Sequence, residues 1–457
     1  MSNKASGRDP TGSLQAELQE FLASAISENR VPGAAAGISY RGVSTVACAG
    51  ITSVRDPLPI EPDTLFMIAS ITKTYTATLA MTLVQQGLLD LERPARYYLP
   101  ELLDCPADTR EQRSQVRVQD LFTHSAGWAS EISFDTGRGD DALTRLVRDM
   151  LPTVEQSSPP GAYASYNNLS PAVAARLIEV IGGGTFEDLM RARVLDPLRL
   201  STTFLFPDDV ANRRHAVGHR DTAEGLVPVD DWPIPRCFTP SGGIASSIRD
   251  LLAWAQFHLA GETPGLAPID PARRAAMRVP HFTMTPSMSV GLSWFLRQRA
   301  GKALVSHDGS MNSNQMSTLA LVPEADLAVS TLANAPGGGD LGRIIIDWAL
   351  ERIVGVKLSP LPVTDPPEDL SEINGRYAKG HTTVAVEAVG SDILITTESS
   401  PDYDHELPTV RAHFIGQDAF ATDIDPYEAA GMIVRNASGS IAAVAWQKEI
   451  LHRTPTP

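Results

Sequence analysis

Strand-like runs stand at both ends of the region up to about residue 355, and helix-like runs fill the middle; this arrangement constrains the fold more than any other feature. At the front, "GAAAGISYRGVSTVACAGITSV" reads as two strands joined at Arg41-Gly42. Strand character returns in "VGLSWFLRQ", "KALVSHDGS" and "QMSTLALVPEADLAVSTLANA", the last a hairpin turning at Pro323-Glu324-Ala325-Asp326. Between them lie "PAVAARLIEVIGG" and "IRDLLAWAQFHLAG", separated by proline-containing loops such as "DDWPIPRCFTPSGG". "GRIIIDWALERIVG" follows, spaced like a helix packed by one face. A single sheet must therefore be assembled from distant segments, with a helical subdomain inserted, which predicts a mixed α/β (α+β) class.

The tail differs. "LSPLPVTDPPEDL" holds four prolines in thirteen residues and reads as a stiff linker. Beyond it "TTVAVEAV", "DILITTE", "AHFIG" and "SIAAVAWQKEIL" are short strand-like runs, which predict a small antiparallel barrel. The expected organisation is a main domain over residues 1–357, a linker over 358–370 and a barrel over 371–457.

Several function classes are excluded early. A formal charge of −16 with no basic stripe opposes binding to nucleic acid. No apolar run approaches the roughly 20 residues of a membrane span, and the polar amino terminus lacks an apolar signal core or twin arginine. Three widely spaced cysteines, Cys48, Cys105 and Cys237, suit buried fillers in a reducing compartment. A cytoplasmic protein without membrane contact is expected. "HAVGH" sets His215 and His219 four apart, but they flank a glycine and lack a clear third ligand, so both are read as structural and no metal is expected. No cofactor motif is present: the glycine runs at 182–184 and 337–339 lack the lysine of a phosphate loop and read as turns.

The chemistry begins in "DTLFMIASITKTYTATLAMTLVQQGLLD", Asp63 to Asp90, where Lys73 is the only charge between the two ends. A lysine there can simply pack its stem and reach water. Residues three apart on a helix share a face, however, so Lys73 can touch Ser70. Ser70 would also sit at the helix N-terminus, where free N–H groups favour developing negative charge. Serine becomes a nucleophile only when a base takes its proton. Lysine serves as that base when burial or a nearby cation lowers its pKa from about 10.4. With 36 serines and six lysines in the chain, about half a Ser-x-x-Lys match arises by chance, so this motif alone decides little.

Two companions strengthen it. Tyr166-Asn167-Asn168 precedes a predicted helix; Tyr166 can relay protons, and Asn168 can pair with a substrate amide. The bland alternatives are a buried tyrosine and a capping asparagine. His307-Asp308-Gly309 lies on a strand-like run, where Gly309 would let a substrate pass close to the backbone. The N–H of Ser310 could join that of Ser70 in an oxyanion hole. The separations from Ser70 to Tyr166 and on to His307 are 96 and 141 residues. Jointly the chance expectation falls below about 0.1. No Gly-x-Ser-x-Gly is present, which argues against an α/β-hydrolase. In "LFTHSAGW", His124 and Ser125 are adjacent, and adjacent residues on a helix point apart, so a fold-stabilising role is expected of them rather than a Ser-His pair.

With "SITK", "YNN" and "HDG" in this order, residues 14 to 355 resemble the penicillin-recognising serine hydrolases on the class C β-lactamase side. "VQDLFTHSAGW", "PPGAYASYNN", "VLDPLRL" and "PSGGIASSIRDLLAWAQF" support the resemblance. It implies a serine β-lactamase-like fold, an antiparallel sheet flanked by helices with an inserted helical subdomain. The tail resembles the lipocalin-like barrel that some relatives carry. It further implies an acyl-enzyme on Ser70, a base role shared by Lys73 and Tyr166, and substrate held by Asn168, His307 and Gly309. Class C β-lactamases have Lys-Thr-Gly where this chain has His-Asp-Gly, and His-x-Gly resembles esterase, D-aminopeptidase and peptide-cyclase branches. The expected activity is cytoplasmic acyl hydrolysis or transfer on an ester, thioester or amide. A stand-alone peptide thioesterase or cyclase of the penicillin-binding-protein type, a D-aminopeptidase, a weak β-lactamase and a slow-deacylating sensor are the alternatives. The expected partner is a small-molecule or peptide acyl substrate, free or on a carrier protein. No oligomeric state is signalled.

Overall fold

The computed structural model describes residues 10–129, 134–229, 234–259, 265–380, 382–399 and 409–454. Its first hairpin pairs β1 (Gly33–Tyr40) with β2 (Val43–Gly50). Arg41 and Gly42 between them are both left-handed, at φ 50° and 79°, the turn that the strands' own twist favours. β1 is buried almost throughout because layers cover both its faces. Ala35 belongs to one core, while Ala34, Ala36 and Ile38 belong to the other, the period-2 alternation of a strand.

Five further strands follow late in the chain: β3 (Phe282–Thr285), β4 (Met288–Val290), β5 (Phe295–Arg299), β6 (Lys302–Met311) and β7 (Gln315–Val322). β8 (Leu327–Ala333) closes the hairpin turning at Pro323–Asp326 and pairs with β1, so the sheet order is β2-β1-β8-β7-β6-β5-β4-β3. The sheet thus joins residues 33–50 to residues 282–333, as the distribution of strand-like runs requires. α1 (Pro10–Glu28) packs Leu18 and Leu22 on one face. The other face receives α2 (Thr72–Gln85), α3 (Leu169–Gly182) and α4 (Ile248–Leu259) with the helical region around them. α5 (Gly338–Ala349) returns to the α1 side through Leu341, Ile345 and Ala349.

The tail forms a closed antiparallel barrel of eight strands, from β9 (Gly375–Lys379) and β10 (Thr382–Val389) to β11 (Glu449–Arg453) at its carboxyl end. Its own core holds Tyr377, Phe414, Phe420 and Trp446. The proline-rich segment runs along this barrel: Leu361 N–H donates to Pro426 O at 2.8 Å and Thr364 N–H to Phe414 O at 2.8 Å. The barrel is bound to the main sheet by Arg299, whose guanidinium meets Asp347 at 2.5 Å and Asp425 at 3.0 Å. No helix among the described residues is long and apolar enough to cross a membrane.

Candidate active site

The turn that presents Ser70 is under conformational constraint. Ala69 adopts φ 45°, a left-handed value that non-glycine residues rarely take and that persists where surroundings enforce it. Ile68 on its other side donates its N–H to Ile244 O at 2.9 Å, and its carbonyl accepts from Ser317 Oγ at 2.8 Å. A single 3-10 turn, Ala69–Ile71, then leads into α2. Ser70 therefore stands at the amino end of a buried helix, as its sequence position predicts.

Lys73 lies one turn on and is fully buried. Its Nζ donates to Ser70 Oγ at 3.0 Å and to Ser241 O at 2.7 Å, both neutral acceptors. The same ammonium is 4.9 Å from the centroid of the Tyr166 ring. Ser241 in turn donates its Oγ to Asn168 O at 2.5 Å, so the serine, the lysine and the Tyr-Asn-Asn segment are linked through one intervening residue. Asn168 occupies the N-cap position of α3 without a side-chain cap bond. Asn167 does that work instead: its Oδ1 accepts from Ser170 N at 2.7 Å and Ser170 Oγ at 3.0 Å.

β6 brings the third motif beside the nucleophile turn. His307 is fully buried, its ring 5.0 Å from Phe295 and 6.4 Å from Tyr166. Its Nδ1 lies 2.7 Å from the Asp308 carbonyl, which can only accept, so Nδ1 carries the proton and Nε2 is left as an acceptor. Burial, and then the charges of Lys448 and Lys73, hold the imidazole well below its ordinary pKa and keep it neutral. Gly309 has a reason different from substrate clearance. A Cβ there would fall 2.3 Å from Ile68 O and 2.3 Å from Ser317 Oγ, so the strand and the nucleophile turn meet where only glycine fits. Ser310 follows in the same strand and is exposed, one residue before its buried end at Met311.

Two groups near the site lie outside the three motifs. His124 sits in a turn with φ 57°, not on a helix, and this conformation lays its ring 4.6 Å from that of Tyr166. Its Nδ1 accepts from Asn167 N–H at 3.2 Å, so the neutral ring carries its proton on Nε2, the opposite tautomer to His307. Burial, followed by the charge of Lys73, pushes its pKa well down. Neighbouring Ser125 donates to Asp120 Oδ1 at 3.0 Å, the structural part expected of it. The second group comes from the barrel: Lys379 and Lys448 both contact the Tyr166 segment.

His215 and His219 do not join the site. His219 is buried with Nδ1 at 2.8 Å from Asn334 O and Nε2 accepting from Val54 N at 3.1 Å, so both nitrogens serve the fold. Cys48, Cys105 and Cys237 are all free thiols.

Comparison with known proteins places relatives around this fold. The beta-lactamase family model matches residues 14–351. Penicillin-binding protein 4 of Amycolatopsis lactamdurans is 29% identical over 379 residues, covering 80% of this chain and 97% of that protein. An unguisins hydrolase of Aspergillus campestris is 28% identical over 291 residues, covering 60% of this chain and 53% of that protein. Among solved structures, SurE with D-Leu aligns at a TM-score of 0.73 and 24% identity, over 97% of this chain and 100% of that one, a likeness of fold.

Proposed function

This chain belongs to the beta-lactamase family, and on that premise we propose that it is a serine acyl hydrolase or acyltransferase working through an ester on Ser70. The observation that carries the reading is the 3.0 Å contact from buried Lys73 Nζ to Ser70 Oγ. In its neutral form Lys73 takes the hydroxyl proton as Oγ bonds to the substrate carbonyl carbon. The oxyanion that forms would be met by the N–H groups of Ser70 and Ser310. The leaving alcohol, thiol or amine departs with a proton delivered through Tyr166, and Asn168 and His307 hold the acyl chain. Water or an amine then attacks the acyl-serine, loses its proton to the same base pair, and frees Ser70.

An ester, thioester or amide substrate is favoured over a β-lactam. His307 stands where class C enzymes of the resemblance carry a lysine, and it is neutral and buried, so this strand position offers no fixed cation for a drug carboxylate. The similarity to an unguisins hydrolase supports a hydrolytic activity. The three free thiols suit a reducing cytoplasm. Transfer to an amine, as in a stand-alone peptide cyclase, is the second reading. It is favoured by the barrel, which packs against the Tyr166 backbone through Lys379 and Lys448.

The test is a fluorophosphonate probe followed by peptide mapping, together with turnover of p-nitrophenyl esters, D-aminoacyl amides, nitrocefin and a peptidyl thioester. Labelling at Ser70 and turnover beyond one equivalent are expected. Full ester turnover by Ser70→Ala overturns the assignment, and a single-equivalent burst makes the protein a sensor.

A further inference from the structure

Three of the chain's six lysines meet at one tyrosine, and two of those three belong to the barrel. Lys73 lies over the Tyr166 ring. Lys379, at the end of β9, donates to Tyr166 O at 2.8 Å and to Ser165 Oγ at 2.7 Å. Lys448 offers its own carbonyl, which accepts from Tyr166 N–H at 2.9 Å. Both main-chain polar groups of the tyrosine are thus held by the barrel.

Lys448 occupies the tip of the last barrel hairpin, just before β11. Gln447 and Lys448 take φ 49° and 72°, so the tip is a tight left-handed turn that sets the direction of its backbone groups. The ammonium is 3.3 Å from Asp308 Oδ2 and 4.6 Å from the centroid of Phe295. Asp308 is the residue between His307 and Gly309 on the strand beside the nucleophile turn. Arg297 on β5 donates to the same Oδ2 at 2.8 Å and lies 3.6 Å from Glu428 of the barrel. Burial alone would raise the Asp308 carboxyl, but Arg297 and Lys448 hold it well below the ordinary carboxylate range, so it is charged.

We propose that Asp308 and Lys448 are positioning residues, their ion pair docking the hairpin tip on the catalytic strand so that the Lys448 carbonyl fixes the backbone of Tyr166 and hence its phenol. This rests on the acyl-Ser70 reading. The barrel is then part of the catalytic machinery, and the Asp of His-Asp-Gly has a function separate from substrate contact. Removing Asp308 leaves Lys448 and Arg297 without the carboxylate they share, and removing Lys448 leaves Asp308 paired with Arg297 alone. Either change unties the tip from the strand and lets it drift, and the Tyr166 main chain follows it.

The test uses the full chain with Asp308→Asn, Lys448→Met, the double variant and Lys448→Arg, reading kcat and KM for p-nitrophenyl acetate. Each single charge removal is expected to lower kcat about 10-fold with KM changed less than about threefold. The double variant should fall no further than the worse single, because one interaction is lost once. Lys448→Arg, which keeps the cation, should recover most of the loss. Should Asp308→Asn not fold, Lys448→Met and Lys448→Arg carry the comparison from the barrel side of the pair. Wild-type kcat in Lys448→Met, or losses that multiply in the double variant, overturn the proposal. Fluorophosphonate labelling of wild-type Ser70 separates the two readings: without it the acyl-enzyme fails, and with it an indifferent Lys448→Met removes only the clamp.

Discussion

Gly309→Ala tests whether the catalytic strand shapes the nucleophile turn. The new methyl would lie 2.3 Å from Ile68 O, 2.3 Å from Ser317 Oγ and 3.1 Å from Ala69 Cβ. Carbon and oxygen without a bond sit about 3.3 Å apart, so the strand and the turn must part by about 1 Å. Ser317 can rotate away, but Ile68 O is backbone, tethered through Ile71 N at 3.2 Å to the turn that carries Ser70. The displacement therefore passes to Oγ and to its contact with Lys73. A misplacement of about 1 Å can lower turnover about 100-fold, while overpacking destabilises the fold by about 1–3 kcal/mol. Turnover of p-nitrophenyl acetate and a melting curve measure the two effects separately. The expected result is a fall in kcat far larger than the loss of stability suggests, with no rescue by adding Ser317→Ala. If turnover of this small ester is intact and only bulky acyl esters show a raised KM, Gly309 serves substrate clearance and the steric argument is wrong.

Other consequences follow from the same structure. Lys73→Met should slow acylation of Ser70 by about 10²–10⁴-fold, read as the rate of fluorophosphonate labelling, and an unchanged rate removes Lys73 from the base role. Stability should fall below pH 6.5. His124, His258 and His307 are buried, and burial first, then nearby positive charge, depresses each pKa well below 6.5. All are neutral in both states at higher pH, so their contribution is complete there. Below about 6.5 the unfolded chain takes up protons the native one refuses, at up to about 1.4 kcal/mol per pH unit for each. Urea midpoints at pH 7.5 and 5.5 check this; equal midpoints reject it, and His258→Phe should flatten the slope. Arg299→Met leaves Asp347 and Asp425 without their shared cation, at a cost of about 3–5 kcal/mol. An unchanged melting temperature would show that the pairings contribute little to barrel docking.

What the sequence revealed of this site depended on whether a contact lies within one element or between two. Ser70 and Lys73 share a helical turn, so their 3.0 Å approach follows from periodicity, and a lysine in an apolar helix stands out against its neighbours. The two-ended sheet was equally legible, since buried strands such as β1 and β8 announce themselves by composition. His124 was not, because the adjacent-residue argument assumed a helix. The ring reaches Tyr166 only through a left-handed turn, which histidine adopts more often than most residues but which no pattern in "LFTHSAGW" marks. Lys379 and Lys448 were hidden for another reason. On short barrel strands a lysine reads as a solvent-facing residue, and its approach to Tyr166 exists only once two separately cored units dock. One signal was nevertheless present. The chain places no lysine between residues 73 and 302 and uses arginine for most of its described surface pairs, with Lys302–Glu324 an exception. Arginine's fork suits exposed carboxylates, whereas a compact ammonium suits a buried corner lined by carbonyls. Of the described lysines, Lys302 and Lys357 are surface residues, whereas Lys73, Lys379 and Lys448 converge on Tyr166. Rarity thus narrows the search to a handful of positions without knowledge of how the barrel docks.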